Sequence, residues 1–303
     1  MTSLINLVGN TPLIEISYFK SKNVKILAKC EWYNPSGSVK DRAAANMVQD
    51  ALNKGLLKNK VLIDATSGNT GIAYAMIGAA LNIPIELALP KNASEERKLI
   101  LENYGVKLHL TDPMEGTDGA QRYVKSIVAE NPDKYFYPDQ YNNDNNWKAH
   151  YKGTGPEIWR QSNGEVTHYI AGLGTTGTFI GTSRFLQEKN VECTAVHPDN
   201  PMHGLEGWKH METAIVPGIY DTSVADHNVH VSTEKAFQYA RAASQYLGLL
   251  ISPSSAANLV AALDLAEKID SGTIVTVFPD NAMKYLKDSF WSDDDYSIDN
   301  PFI

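Results

Sequence analysis

Short apolar runs of β-forming residues alternate with helical stretches along almost the whole chain, and this alternation limits the fold more than any other feature. "VKILAKCEWY" leads into an alanine-rich helical run that starts near Lys40. "VLIDA" precedes a helix from about Thr70, "IPIELALP" precedes "SEERKLILENYG", and "VKLHL" precedes a helix around Ala120. "VTHYIAGL", "VECTAVH", "NVHVS" and "GTIVTVFPD" follow, each with a helix nearby. Strand–helix alternation of this kind predicts an α/β architecture with mostly parallel sheets, whose ligands sit in the loops at the carboxyl ends of the strands. At 303 residues the chain is long enough for two lobes. The polar segment Asp139 to Trp147 is the expected crossing between them, and Asn200 to Gly218 the expected mobile loop.

Three of the loops carry chemistry. In "YNPSGSVKDRAAANM" the turn residues Asn34 to Gly37 break the chain, and Ser38 is the expected N-cap. Lys40 then falls in the first helical turn, where the helix dipole disfavours an ammonium. A neutral amine there suits Schiff-base chemistry. The alternative is a lysine whose stem packs while its head reaches solvent. The second loop, "DATSGNTGIAYA", puts Thr66, Ser67, Asn69 and Thr70 between a strand and a helix start, a set of donors suited to a carboxylate or phosphate. Plain helix capping by the same residues is the alternative. The third, "AGLGTTGTFIG", spells G-x-G-x-x-G with Gly172, Gly174 and Gly177 and adds Thr175, Thr176 and Thr178. It reads as a phosphate cradle, a dinucleotide site, or glycines required by strand–helix packing. A dinucleotide site calls for an acidic residue ending the next strand, and "VECTAVH" ends in His197, with Asp199 two residues on. Together the loops discriminate further. A dehydrogenase gives no role to the Lys40 turn or to the Thr66–Gly71 loop. An amine, a phosphate cradle and a carboxylate receptor are what pyridoxal phosphate and an amino-acid substrate need.

Charge and composition exclude other classes. A net charge of −8 argues against nucleic-acid and anionic-membrane partners, which need a basic face. Asn82, Pro84 and Glu86 interrupt the longest apolar stretch, so it reads as a buried helix and strand rather than a membrane span. The N-terminus shows no secretion-signal pattern, and Cys30 and Cys193 lie on different predicted strands, so they read as core thiols of a cytoplasmic protein. No H-E-x-x-H, paired C-x-x-C or G-x-S-x-G occurs, and no metal site is expected. His227 and His230 read as solvent or core residues, and "SDDDYSIDN" as an exposed acidic tail.

The segments "NLVGNTPLI", "NPSGSVKDRAA", "TSGNTGIA", "DQYNN", "TGPEIW" and "GLGTTGT" resemble the cysteine synthase (O-acetylserine sulfhydrylase) and cystathionine β-synthase family. The resemblance runs from Asn6 to about Tyr285, and its wording is most similar to the B-type cysteine synthases. It implies the two-lobed PLP fold type II of the tryptophan synthase β chain, with mostly parallel twisted sheets flanked by helices. Residues 1–36 and 146–303 would form the large cofactor-binding domain and 37–145 a small mobile one. Lys40 would carry pyridoxal 5'-phosphate as a Schiff base and serve as the base. Asn69 would meet the phenolic oxygen, and Gly174, Thr175, Thr176, Gly177 and Thr178 the phosphate. Thr66, Ser67, Thr70 and Gln140 would hold the substrate carboxylate. Ser255, or else Ser254, would face the pyridine nitrogen. A neutral serine there makes the ring a weaker electron sink than an aspartate would.

The implied reaction is β-replacement on O-acetylserine or a related O-activated serine, with sulfide or another thiol giving L-cysteine. O-phosphoserine as donor, homocysteine as acceptor (cystathionine synthesis) or an amine nucleophile are the variants. A nucleotide-dependent oxidoreductase and a binding protein without catalysis are the readings from other classes. The resemblance also implies a homodimer. The chain departs from the family in two places: Ala256 and Ala257 stand where glycine often follows the serines, and "FPDNAMKYL" where the family often has "SGERYL". Asp280 and Asn281 are therefore candidates to alter the hydrogen bonds of Ser255. In the 200–218 loop, Glu206, Trp208, Lys209 and His210 are candidates to close the site. Lys209 and His210 read either as substrate contacts or as part of a solvated face.

Overall fold

The computed structural model describes residues 4–17, 23–66 and 68–303. Every strand–helix pair read from the sequence forms, and the strands sort into two sheets. The larger sheet contains β1 (Leu13–Ile16), β2 (Val24–Cys30), β7 (His168–Gly172), β8 (Glu192–Pro198), β9 (His227–Val231) and β10 (Gly272–Phe278). Their order is β1-β2-β10-β7-β8-β9, with β1 antiparallel to β2 and every other pair parallel. The smaller sheet contains β3 (Val61–Ala65), β4 (Ile85–Pro90), β5 (Lys107–Thr111) and β6 (Tyr135–Phe136), all parallel, in the order β5-β4-β3-β6.

Helices cover both faces of each sheet, which is why the central strands read as continuous apolar runs. All six residues of β4 are buried, as are six of the seven in β10. On the small sheet, α1 (Lys40–Asn53), α2 (Asn69–Leu81) and α3 (Glu95–Asn103) pack on one face and α4 (Gly116–Glu130) on the other. Helix α2 is buried at every position from Thr70 to Gly78, as its lack of a polar face requires. On the large sheet, α8 (Thr233–Tyr246) and α9 (Pro253–Ala266) fill one face. On the other lie α6 (Gly155–Gln161) and α7 (Gly177–Gln187). Helix α5 (Asp144–Ala149) continues the crossing from the small sheet and runs through a π-turn, His150–Thr154, into α6. Between β8 and β9 the chain forms one short 3-10 turn and is otherwise irregular, as the 200–218 segment predicts.

Two elements differ from expectation. Helix α1 takes Val39 as its N-cap, and Ser38 sits one residue earlier, its Oγ accepting from the Lys40 N–H at 3.3 Å. The acidic stretch near the C-terminus is exposed at Asp293, Asp294 and Asp295. It is not a free tail, because Tyr296 and Ile298 pack on the large core and Phe302 is fully buried there.

A buried ionic quartet joins the two sheets' layers. Arg42 on α1 binds both oxygens of Glu31 (2.6 and 2.9 Å) and both of Glu157 on α6 (2.8 and 2.7 Å). Lys29 on β2 reaches Glu157 at 2.7 Å. It also donates to the Thr11 carbonyl and to Gln161. Two positive and two negative charges cancel, the condition under which buried ions are tolerated.

Candidate active site

The carboxyl ends of β3, β7 and β10 and the start of α1 open onto one cavity of about 390 Å³. Lys40 stands on its wall at the first residue of α1. The Val39 N–H donates to the Pro279 carbonyl at 2.8 Å, which pins the start of α1 to the end of β10. The Lys40 ammonium is destabilised chiefly by burial, against the opposing pull of Asp280 and Glu31. Burial thus acts in the same direction as the helix end.

Thr66, Asn69, Thr70 and Gln140 lie on the same wall. The Thr70 hydroxyl donates to Gln140 Oε1 at 2.9 Å, and the Gly68 N–H donates to Thr66 Oγ1 at 3.3 Å. Gly68, the N-cap of α2, offers no side-chain cap to the first N–H groups of that helix. Ser67 lies outside the described residues.

Gly174, Thr175, Thr176 and Thr178 line the cavity at the start of α7. Thr176 has φ 71°, a left-handed conformation that is rare for a β-branched residue, and caps α7 without a side-chain hydrogen bond. Its hydroxyl is buried and has no hydrogen-bond partner among the described residues. Gly177 is not on the wall: a Cβ there would overlap Asn146 Oδ1 at 1.9 Å. A Cβ on Gly174 would sit 2.1 Å from the Gly207 carbonyl oxygen. These glycines are demanded by close packing, but of helix α5 and of the 200–218 loop rather than of strand on helix.

The serine pair divides. Ser252 caps α9 by accepting from the Ser255 N–H at 3.2 Å, with Pro253 at the first helical position. Ser254 is on the cavity wall. Ser255 is fully buried, donates to the Asp280 carbonyl at 2.8 Å and lies 2.9 Å from Ser252 Oγ. Asn281 takes no part, its side chain accepting from the Met283 N–H instead.

The 200–218 loop forms another part of the wall through Glu206, Trp208, Lys209 and His210. Glu206 makes an ion pair with Arg97 of α3, and Lys209 lies 3.4 Å from Asp118 and over the Tyr141 ring. Several wall or supporting residues escaped the sequence reading. Asn146 donates to the Gln140 carbonyl at 2.6 Å and to Thr175 Oγ1 at 3.0 Å, tying receptor to cradle. His150, behind the cradle, lies 3.3 Å from Thr178 Oγ1 and is kept neutral by burial and by the neighbouring Arg42 and Lys40 charges. Asn258 and Tyr285 also line the cavity. Tyr285 falls within "FPDNAMKYL", but nothing local marks its role or that of the other three, so only the folded chain reveals them. Cys30 and Cys193 are free and buried, and burial raises both thiols to about 12, which leaves them inert.

One cavity thus holds an amine of lowered basicity, a donor-rich loop and a threonine–glycine helix start. Comparison with known proteins agrees with that inventory. The family described as "Pyridoxal-phosphate dependent enzyme" matches residues 4–280. A cysteine synthase of Aquifex aeolicus is 50% identical, the match covering 97% of this chain and 93% of the relative. Cysteine synthase B of Salmonella typhimurium is 36% identical over 98% of each. The crystal structure of a cysteine synthase from Entamoeba histolytica superposes with TM-score 0.92 at 34% identity, covering 97% of this chain and 91% of that one. The chain belongs to the pyridoxal-phosphate-dependent enzymes of fold type II, in the family of the cysteine synthases.

Proposed function

We propose that this enzyme makes L-cysteine by β-replacement, taking O-acetylserine or a related O-activated serine as first substrate and sulfide or another thiol as second. The observation that carries the reading is the shared cavity: Lys40, then Thr66, Asn69, Thr70 and Gln140, and then Thr175, Thr176 and Thr178 all open onto it.

The residues present fit the cofactor. The orphaned Thr176 hydroxyl and the uncapped start of α7 suit a phosphate. Thr175 and Thr178 would add donors beside them. Pyridoxal phosphate, when bound, supplies an aldehyde for amines and a ring that accepts electrons from the substrate's α-carbon. Lys40 would hold it and, once released, would take the α-proton on its Nζ, which its lowered pKa leaves unprotonated and able to accept. Thr66, Ser67, Thr70 and Gln140 would hold the substrate carboxylate and so aim the α-proton toward Lys40. Asn69 would meet the cofactor's phenolic oxygen. Ser254, on the cavity wall, is the better partner for the pyridine nitrogen, because the Ser255 hydroxyl is already spent on the Asp280 carbonyl. Closure of residues 37–145 and of the 200–218 loop would exclude water. The same reading takes the active form to be a homodimer, which the family resemblance supports, and places it in the cytoplasm. Among the described residues no helix is long and apolar enough to cross a membrane.

A panel of donors and acceptors tests the proposal. O-acetylserine with sulfide should give cysteine at the highest rate, and O-phosphoserine, homocysteine and thiosulfate should rank below that pair. Absence of cysteine from every donor–sulfide pair would refute the assignment.

A further inference from the structure

The departure "FPDNAMKYL" builds a clamp around Asn69. Its amide nitrogen donates to Asp280 Oδ2 at 2.8 Å, and its Oδ1 accepts from Lys284 Nζ at 2.6 Å. An asparagine amide is usually ambiguous in orientation. Here the partners remove the ambiguity, since a carboxylate only accepts and an ammonium only donates. Turning the amide over would set donor against donor and acceptor against acceptor. One amide N–H is used by Asp280, the amide also interacts with the Tyr285 hydroxyl, and the residue lines the cavity.

The clamp is itself held. Tyr285 donates to Asp280 Oδ2 at 2.8 Å, and Lys284 lies 3.8 Å from the same oxygen and 3.4 Å from the Gly37 carbonyl. Asp280 has no exposed surface, and its backbone carbonyl accepts from Ser255 in the first turn of α9. One residue therefore braces both ends of the space between Asn69 and the serine pair. We propose that Asp280 and Lys284 are positioning residues that lock the Asn69 amide in one orientation, so that its N–H side is presented to the phenolic oxygen of the bound cofactor. This rests on the functional reading above. The two side chains act through Asn69; neither lines the cavity.

The test compares holoenzymes: wild type, Lys284→Met, Lys284→Arg, Asp280→Asn, Asn69→Ala, and Lys284→Met combined with Asn69→Ala. The readouts are the visible band of the bound cofactor across pH and the rate at which cofactor is lost on dilution. Lys284→Met and Asp280→Asn should move the pH at which the band changes in the same direction as Asn69→Ala. Each should speed cofactor loss about tenfold, the scale of one hydrogen bond to a charged group. Lys284→Arg should restore both readouts, and Lys284→Met should add nothing in the Asn69→Ala background. Should Asp280→Asn fail to fold, the Lys284 pair alone decides. A wild-type band and loss rate in Lys284→Met would overturn the proposal, as would a full Lys284→Met effect on top of Asn69→Ala. Wild-type protein that shows no lysine-linked band would overturn the functional reading and this proposal with it.

Discussion

Glu157→Gln should be among the most damaging isosteric changes in the protein, although residue 157 lies outside the cavity. Glu157 serves Lys29 at 2.7 Å and Arg42 at 2.7 and 2.8 Å, and the quartet with Glu31 is neutral. The substitution keeps the shape and leaves one uncompensated positive charge among side chains that are almost wholly buried. Removing one partner of a buried pair costs about 3–5 kcal/mol. The low end applies, because Lys29 keeps the Thr11 carbonyl and Gln161, and Arg42 keeps both oxygens of Glu31. With roughly 2.1 cal/mol/K of unfolding entropy per residue, 303 residues turn about 3 kcal/mol into a midpoint shift of about 5 °C. The sign with pH follows from linkage. Glu157 is held down to about 2 by its hydrogen bonds and charge pairing with Arg42 and Lys29, which outweigh its burial. Its contribution is present above the ordinary value of 4.5 and lost as pH falls toward 2. The gap between wild type and variant should therefore close in acid. Burial lowers the Lys29 ammonium, so in alkali it sheds its proton early and the gap narrows there too. Circular-dichroism melts from roughly pH 3 to pH 10 measure both arms. A shift below about 1 °C at neutral pH, or a gap that does not vary with pH, would refute the reasoning.

Other outcomes are expected from the same geometry. Gly174→Ala pushes a Cβ against the Gly207 carbonyl oxygen. It should cost about 1–3 kcal/mol of stability and weaken cofactor retention, read by equilibrium dialysis; unchanged retention would deny the contact between loop and cradle. Arg97→Met removes the ion pair that ties α3 to Glu206. The KM for the first substrate should rise and proteolysis between residues 200 and 218 quicken, with kcat little altered; intact resistance to protease would refute the tie. Asp64 is buried, and burial raises its carboxyl from 3.8 to about 7. Between those values the folded protein binds the extra proton, so stability falls as pH rises. Asp64→Asn should flatten that fall and melt higher than wild type at pH above 7, and a parallel pair of stability curves would contradict it.

The residues that carry local chemistry were legible because each sits in a strand-to-helix turn. Lys40, Thr66, Asn69, Thr70 and the Thr175–Thr178 run are placed by turn and capping chemistry within a few residues. The long apolar strands were legible for a similar reason, since burial on both faces writes a continuous run into the sequence. Strands β1 and β6 were not. They have four and two residues, and both lie at sheet edges, where little burial marks them. Asn146, His150, Asn258 and Tyr285 were hidden for another reason. No local pattern marks their roles, and only the folded chain brings Asn258 and Tyr285 to the cavity wall and Asn146 and His150 against the threonines of the cradle. The choice between Ser254 and Ser255 depended on which hydroxyl Asp280 captures, a contact across 25 residues.

The central claim is that Lys40 carries the cofactor. Borohydride reduction of the purified holoenzyme, followed by digestion and mass spectrometry of the peptides, tests it most directly. The account predicts a pyridoxyl-phosphate mass on the peptide that contains Lys40 and on no other lysine. The same mass on Lys209 or Lys284, or no labelled lysine at all, would contradict it.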